Sequence, residues 1–225
     1  MKPVDATRAD DEEAHVAPSR TSRRTRETRR KLVDAGIVLL RRADYAAVPV
    51  SEITQLADVG LGTFYNHFAG KDELFDEAVQ SVLNAQTDRM STLGQAGDSP
   101  GTTAAIAMHV VLGLAESDPA VAVVVARNGL RLLDAEAALV PQARALVEAG
   151  QAAGSFSALD VDLALSLVGG SLLGGLHTWW SSPDLVTRDW TVELVARVLV
   201  ALGCDLGDAR RASSSGLDRV TGRDG

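Results

Sequence analysis

The sequence has very little cysteine and few aromatic residues. Cys204 is the one cysteine in 225 residues, which excludes an intrachain disulfide and a cysteine-based metal site. Aromatic residues make up only 4% of a chain that is 46% hydrophobic, so we expect a core built from Ala, Val and Leu. Alternating strand patterns are nearly absent, and the apolar runs are rich in Ala and Leu. These features predict an all-α fold of about nine helices.

Signals for export or membrane insertion are also missing. The N-terminus is polar and lacks the apolar segment of a signal peptide. The longest uncharged apolar run, Leu163 to Leu176, has 14 residues, which is too short to span a bilayer. We therefore expect a cytoplasmic protein.

The patterns of metal sites and of nucleophilic catalysis do not occur. The four histidines are far apart, and there is no His-x-x-x-His or Cys-x-x-Cys pair. There is also no G-x-S-x-G nucleophile motif. We predict no metal, no cofactor and no enzymatic activity, and a helical enzyme stays the least supported alternative.

The net charge of −8 is unevenly distributed. Residues 19–72 hold ten Arg or Lys against six Asp or Glu, whereas the remaining residues hold twelve against twenty-four. A basic module on an acidic body can bind DNA through one face, although a solvated charged face is the simpler alternative. The basic residues begin in an arm that runs into the first predicted helix: Arg20, Arg23, Arg24, Arg26, Arg29, Arg30 and Lys31.

Residues 50–68, V-S-E-I-T-Q-L-A-D-V-G-L-G-T-F-Y-N-H-F, indicate two short helices joined by a tight turn. Ile53, Leu56 and Ala57 recur at helical spacing and predict the buried face of the first. Phe64 and Phe68 lie four residues apart and predict the inner face of the second. Small or hydrogen-bonding residues are left outside, as a helix in a DNA major groove requires: Gly62, Thr63, Tyr65, Asn66 and His67.

The region from about Arg26 to Gln86 resembles the DNA-binding domain of the tetracycline-repressor-type (TetR) transcriptional regulators. The resemblance rests on T-R-E-T-R-R-K-L-V-D-A-G, P-V-S-E-I-T-Q-L-A, G-T-F-Y-N-H-F and K-D-E-L-F. It implies a dimeric repressor whose second and third helices dock in the major groove. By this resemblance the phosphates are contacted by Tyr65, His67 and Lys71, and the base edges lie nearest Gly60, Leu61, Gly62, Thr63 and Asn66. The predicted DNA-contacting set also includes Arg26 in the basic arm and Ser51, a potential N-cap.

The sequence departs from the family pattern in two ways. Asp44 and Asp58 stand where the family commonly has glycine, but aspartate tolerates the left-handed conformation. Gly60 replaces the usual serine cap, and Leu61 replaces a frequent polar residue, so Leu61 offers an apolar contact to a thymine methyl group.

The sequence is expected to form four segments. Residues 1–22 are a disordered arm, 23–86 form the helix-turn-helix DNA-binding domain with the motif at 49–68, 87–206 form a larger helical ligand-binding and dimerisation domain, and 207–225 are a disordered tail. Predicted helices of the larger domain cover residues 102–117, 119–133, 138–152, 159–181 and 186–202.

Glycines in the segment L-V-G-G-S-L-L-G-G-L indicate close helix packing, because each costs up to about 1 kcal/mol in a helix. By the resemblance, the last two predicted helices form the dimer interface; packing within one subunit is the alternative. The interface residues are predicted to be Leu165, Gly170, Leu173, Gly174, Leu194 and Val198.

A ligand pocket is predicted between the DNA module and the dimer helices, since a few polar or large residues stand in an apolar background there. Ordinary core packing is the alternative for each of them. The candidates are Met108, His109, Arg127, Asn128, Arg131, His177 and Trp180.

The sequence thus predicts a homodimeric transcriptional repressor that a small molecule releases from a pseudo-palindromic double-stranded operator. A small-molecule-binding helical dimer without operator recognition is the alternative.

Overall fold

The helices of the chain enclose one continuous hydrophobic core. The computed structural model describes residues 20–42, 44–128 and 139–222. Single 3-10 turns lie at Tyr45–Ala47 and Pro183–Leu185. The α-helices are α1 (Arg20–Leu40), α2 (Val50–Leu56), α3 (Leu61–Tyr65), α4 (Lys71–Leu93), α5 (Pro100–Leu112), α6 (Leu114–Ser117), α7 (Pro119–Asn128), α8 (Val140–Ala152), α9 (Val161–Ser181), α10 (Arg188–Ala201) and α11 (Leu206–Thr221).

The all-α prediction is confirmed over the described residues. The predicted helix at 102–117 is divided at Gly113, which is the C-cap of α5 and the N-cap of α6. The predicted helix at 119–133 is described only as far as residue 128. Most of the expected disordered arm at 1–22 lies outside the described residues, and α1 already begins at Arg20.

The prediction of a disordered tail from residue 207 is wrong. Residues 207–221 belong to α11, which is capped by the carboxylate of Asp205 and packs against α5 and α10. Its buried positions are Ala209, Ser213 and Gly216. Small residues let the helix lie close to α5: a Cβ on Gly216 would be 3.1 Å from the backbone nitrogen of Ile106.

Helix α4 is shared by the two domains. It packs against α1 at the DNA-module side and against α5 in the larger domain. A salt bridge between Arg41 and Asp118 (2.5 Å) also joins the end of α1 to the turn before α7. The predicted boundary at residue 86 therefore falls inside one continuous helix.

Helix α9 is long and apolar enough to qualify as a membrane span, with 21 residues and a mean hydropathy of 1.2. It packs against α7, α8 and α10 within the bundle. Only 22% of its apolar stretch is buried within the chain, so α9 also has a large outward face.

A buried polar contact fastens α11 to the core. The His109 ring, 1% exposed, lies 3.0 Å through Nε2 from the Ser213 hydroxyl. Ser213 donates to the carbonyl of Val192 at 2.8 Å. Burial, with a smaller contribution from the charge of Arg188, lowers the pKa of His109 to about 4.

We expect His109 to make the fold sensitive to mild acid. Its pKa is about 4 in the folded protein and 6.5 ordinarily, so between these values the unfolded chain binds a proton that the folded chain excludes. Stability contributed by the neutral ring is therefore full above pH 6.5 and is lost as the pH falls towards 4. Lowering the pH from 7 to 5 is expected to cost about 2 kcal/mol from this residue.

Urea denaturation at both pH values measures the effect. His109→Gln, which keeps a side-chain N–H donor for Ser213, is expected to lose most of that difference. An unchanged pH dependence in this variant would show that other groups cause the acid sensitivity.

Candidate nucleic-acid interface

The inner side of α3 is held by two buried aromatic rings. Phe64 is 0% exposed and Phe68 is 2% exposed, and their ring centroids are 5.8 Å apart. The prediction that both rings pack inward is confirmed. A helix of five residues has no stability of its own, so this burial fixes its position.

Arg29 of α1 clamps the end of the same segment. Its guanidinium lies 4.2 Å from the centre of the Phe68 ring and donates to the backbone carbonyl of His67 (2.6 Å). It also pairs with Glu77 of α4, with Nε 3.0 Å from Oε1. The sequence assigned Arg29 to a basic arm that contacts phosphates; the structure shows it as an internal link between α1, α3 and α4.

The outer side of α3 faces solvent. Leu61 is 52% exposed and Tyr65 is 56% exposed, and Gly62 and Asn66 are exposed as well. A Cβ on Gly62 would meet no atom within 4 Å, so the backbone there is open to close approach. This side therefore combines an open backbone with a phenol, an amide and one apolar side chain.

The remaining predicted base-side residues lie at the edges of this surface. Gly60 is the exposed N-cap of α3, and no side chain caps the helix. Thr63 and His67 are half-buried.

Two expectations for α2 are corrected. Ile53 and Ala57 are buried as predicted, but Leu56 is 50% exposed because α2 is only seven residues long and turns it outward beside α3. Ser51 is not the N-cap: α2 begins one residue earlier, at Val50, after Pro49. Ser51 is exposed, and its carbonyl accepts a hydrogen bond from Thr54.

The two aspartates at glycine positions differ. Asp58 adopts a left-handed conformation with φ 53°, as expected for the turn between α2 and α3. Asp44 has φ −103° and needs no such tolerance. Its carboxylate instead pairs with Arg42, which holds the pKa of Asp44 below its ordinary value.

Lys71, a predicted phosphate contact, has a role inside the chain. Its ammonium donates to the carbonyls of Ala46 (2.7 Å) and Val48 (3.2 Å) in the segment before α2. It therefore anchors that segment to the start of α4. Arg26, the other predicted cation, is exposed on α1.

An apolar cavity of about 330 Å³ lies in the larger domain between α4, α5, α8 and α9. Among the described residues its lining contains no charged side chain; the polar side chains are Thr87, Ser91, Thr103 and Gln142. The Thr87 hydroxyl is buried and has no hydrogen-bond partner among the described residues.

The structure assigns one predicted ligand residue, Met108, to this apolar cavity. His109, its neighbour on α5, lines a separate recess, because successive helical residues point in different directions. Arg127, His177 and Trp180 are exposed and form an outer cluster, with Arg127 5.5 Å above the Trp180 ring. Asn128 ends α7, and Arg131 lies outside the described residues.

The predicted dimer residues divide into two sets. Gly170 and Gly174 are exposed on α9, and a Cβ on either would meet nothing within 4 Å. Leu165 lines the apolar cavity and Val198 is 5% exposed in the core, so both are removed from the predicted interface. Leu173 and Leu194 are half-buried and pack against the core.

In the described part of the chain, no group of three or more His, Cys, Asp or Glu side chains is arranged to hold a metal ion.

Two family models match the chain. Residues 32–78 match "Bacterial regulatory proteins, tetR family", and residues 99–214 match "Tetracyclin repressor-like, C-terminal domain". The second match alone covers half of the sequence. The chain belongs to the TetR family of transcriptional regulators. This confirms the resemblance drawn from the G-T-F-Y-N-H-F and K-D-E-L-F stretches.

TetR-family relatives in sequence match part of this chain. The HTH-type transcriptional repressor KstR of Mycobacterium tuberculosis is 33% identical over 72 residues, which cover 31% of this chain and 33% of that one. The uncharacterized HTH-type transcriptional regulator YxbF of Bacillus subtilis is 29% identical over 100 residues, covering 44% and 26%. These alignments span about a quarter to a third of the relatives' lengths.

Solved TetR-type structures share the fold over most of the chain. RolR in complex with resorcinol has a TM-score of 0.65 at 22% identity, covering 85% of this chain and 95% of that one. The fatty acid degradation regulator FadR from Bacillus halodurans has a TM-score of 0.56 at 18% identity, covering 82% and 93%.

Sequence reasoning missed the structural role of Arg29 and the hydroxyl of Thr87. The spacing of Arg29 three residues before Leu32, a core residue on the same helix, was an available signal that its side chain can reach the module interior. Nothing in the sequence marks Thr87, because its significance depends on the cavity beside it.

Arg29→Leu is expected to lower the local stability of α3 while α1 stays folded. The change deletes the hydrogen bond to His67 and the pair with Glu77, at a cost of about 1–3 kcal/mol. Hydrogen exchange of the amides of residues 61–68 measures it and is expected to accelerate about fivefold or more. Arg30→Leu, an exposed neighbour on the same helix, is the matched control. Equal protection in the two variants would contradict the clamping role.

Proposed function

We propose that this TetR-family protein is a dimeric repressor that binds a pseudo-palindromic operator and is released from it by a small apolar ligand. The observation that carries the proposal is the open outer side of α3, held over two buried phenylalanines within the region that matches the family's N-terminal model. Its shape suits insertion into a major groove. We infer that the protein acts in the cytoplasm.

Recognition of the bases is assigned to Leu61 and Asn66 on the outer side of α3 and to Thr63 at the edge of that surface. Asn66 can make two hydrogen bonds to an adenine edge, and Thr63 can donate to or accept from either kind of base. Leu61 offers its exposed side chain to a thymine methyl group. The exposed Leu56 of α2 extends this apolar contact.

Phosphate contacts are assigned around this centre. Tyr65 presents its hydroxyl from an exposed ring, and Arg26, Ser51 and His67 flank it in sequence or on neighbouring helices. Two hydrogen bonds within the chain hold the ammonium group of Lys71 in a fixed position. From there its positive charge attracts a phosphate. The local excess of positive charge in residues 19–72 favours the same partner.

Dimerisation is assigned to the outer face of α9. Leu163 is 49% exposed, Leu167 is 38% exposed, and Gly170, Gly174 and His177 continue the face at alternating spacings of four and three residues. That repeat places one side of the helix against a partner helix. The glycines then allow two copies of α9 to approach closely.

The apolar cavity is assigned to the effector. A lining without charge favours an uncharged ligand, because a buried unpaired charge is costly. The free hydroxyl of Thr87 offers one hydrogen bond to such a ligand. Thr87 and Met90 belong to α4, which also packs against α1, so a ligand that favours one position of α4 shifts the DNA modules.

Tyr65→Phe and Asn66→Ala are expected to act differently on DNA. Loss of the Tyr65 hydroxyl weakens binding to operator and random duplexes alike, by about 1 kcal/mol. Loss of the Asn66 amide lowers the preference for the operator by about 1–3 kcal/mol. Fluorescence anisotropy at fixed salt, with the region upstream of the protein's own gene and a scrambled duplex, measures both.

Asn84→Ala, an exposed asparagine on α4, is the matched control for Asn66→Ala. Equal losses on both duplexes from Asn66→Ala would contradict its base-reading role. Absence of binding to any duplex at low ionic strength would favour the alternative, a small-molecule-binding dimer without operator recognition.

Gly170→Leu tests the dimer face. A leucine there meets open space within one chain but blocks close approach of a second α9, so we expect monomers by light scattering with folding retained. Gly175→Ala is the contrasting variant: its Cβ would be 2.9 Å from Leu112 and from Leu194 within the chain, so it lowers stability. A stable Gly170→Leu dimer would overturn the assignment.

A further inference from the structure

A second recess, the polar cleft, has a volume of about 730 Å³ and lies against another face of α5. It is formed by parts of α4, α5, α6, α9, α10 and α11, and its lining includes Arg89, His109, Glu116, Arg188, Trp179 and Trp190. In the part of the chain that the structure describes, the apolar cavity has no charged lining residue, so the two recesses suit different ligands.

Two inward polar atoms of this lining have unmet hydrogen-bonding capacity. His109 is bonded through Nε2 to Ser213, but its Nδ1 is buried and has no partner among the described residues. Arg188 pairs through Nη2 with Asp218 (2.7 Å), whereas its buried Nη1 has no partner in the same part of the chain. Buried polar groups are nearly always satisfied, so the pair indicates a missing partner.

The charges of the polar cleft favour an anion. The charge of Arg188 is balanced by Asp218. Arg89 donates to the carbonyl of Val220 (3.1 Å), and no described carboxylate pairs with it. Glu116 also lines the cleft, but its side chain is exposed, so solvent screens its negative charge from the positive charge of Arg89.

We propose that the polar cleft is a second ligand site, which binds a small aromatic carboxylate. The carboxylate accepts a hydrogen bond from Arg188 Nη1, and Arg89 adds its charge. The single proton of the Ser213 hydroxyl is donated to Val192, so the neutral His109 ring carries its proton on Nε2, and its Nδ1 is left as an acceptor. Trp179 and Trp190 supply apolar surface for the aromatic ring.

Isothermal titration with 2-naphthoate tests the site on the full chain. The matched probe 2-naphthamide has the same rings and no charge. We expect naphthoate to bind at least about tenfold more tightly, as the loss of a hydrogen bond between charged groups implies. Equal affinities for the two compounds, or no heat with naphthoate, would overturn the proposal.

Two variants locate the binding. Arg89→Gln is expected to weaken naphthoate about tenfold, whereas the control Arg211→Gln, on an exposed part of α11, leaves it unchanged. Glu116→Gln removes the opposing charge at an exposed position and is expected to tighten binding up to about threefold. If neither Arg89→Gln nor Glu116→Gln changes the affinity for naphthoate, the compound binds elsewhere, for example in the apolar cavity. That result would reject the site.

Discussion

Burial of Phe64 and Phe68 is the constraint on which the DNA-facing surface depends. Helix α3 has five residues, too few to hold a helical conformation without outside contacts. The rings of Phe64 and Phe68 fill the interior of the module, and the Arg29 guanidinium lies over the Phe68 ring. The outer residues can therefore be small, polar or apolar without affecting the fold.

Helix α4 gives this module a mechanical connection to the rest of the protein. Lys71 at its start holds the segment before α2, and Glu77 in its first half holds Arg29. Its second half provides Thr87 and Met90 to the apolar cavity and Arg89 to the polar cleft. Helix α4 therefore lines both the apolar cavity and the polar cleft, and it also contributes to both contacts that hold the helix-turn-helix. A displacement at residues 87–90 reaches the helix-turn-helix through that rigid element, with Arg41 and Asp118 as a parallel link.

Elements with a clear hydrophobic periodicity could be predicted from the sequence. Features that depend on contacts between residues far apart in the sequence could not. The inner face of α3 followed from the spacing of Phe64 and Phe68. Helix α11 was missed because its buried positions are alanine, serine and glycine, which hydropathy does not distinguish from a flexible tail. The predicted pocket residues are divided for a related reason: Met108 and His109 are adjacent, yet they line different recesses. Only the placement of the surrounding helices decides which recess each residue lines.

Glycines in the helices of the larger domain show what close packing requires. Gly216 of α11 lies against Ile106, and Gly175 of α9 lies against Leu112 and Leu194, so a larger residue at either site would collide with its own chain. Gly170 and Gly174 carry the same cost of about 1 kcal/mol each in helix stability, but a Cβ built on either would meet nothing within 4 Å in the described chain. Packing within one subunit therefore accounts for Gly175 and leaves its two neighbours unexplained. In the proposed dimer, close approach of a second copy of α9 would give Gly170 and Gly174 the same physical reason.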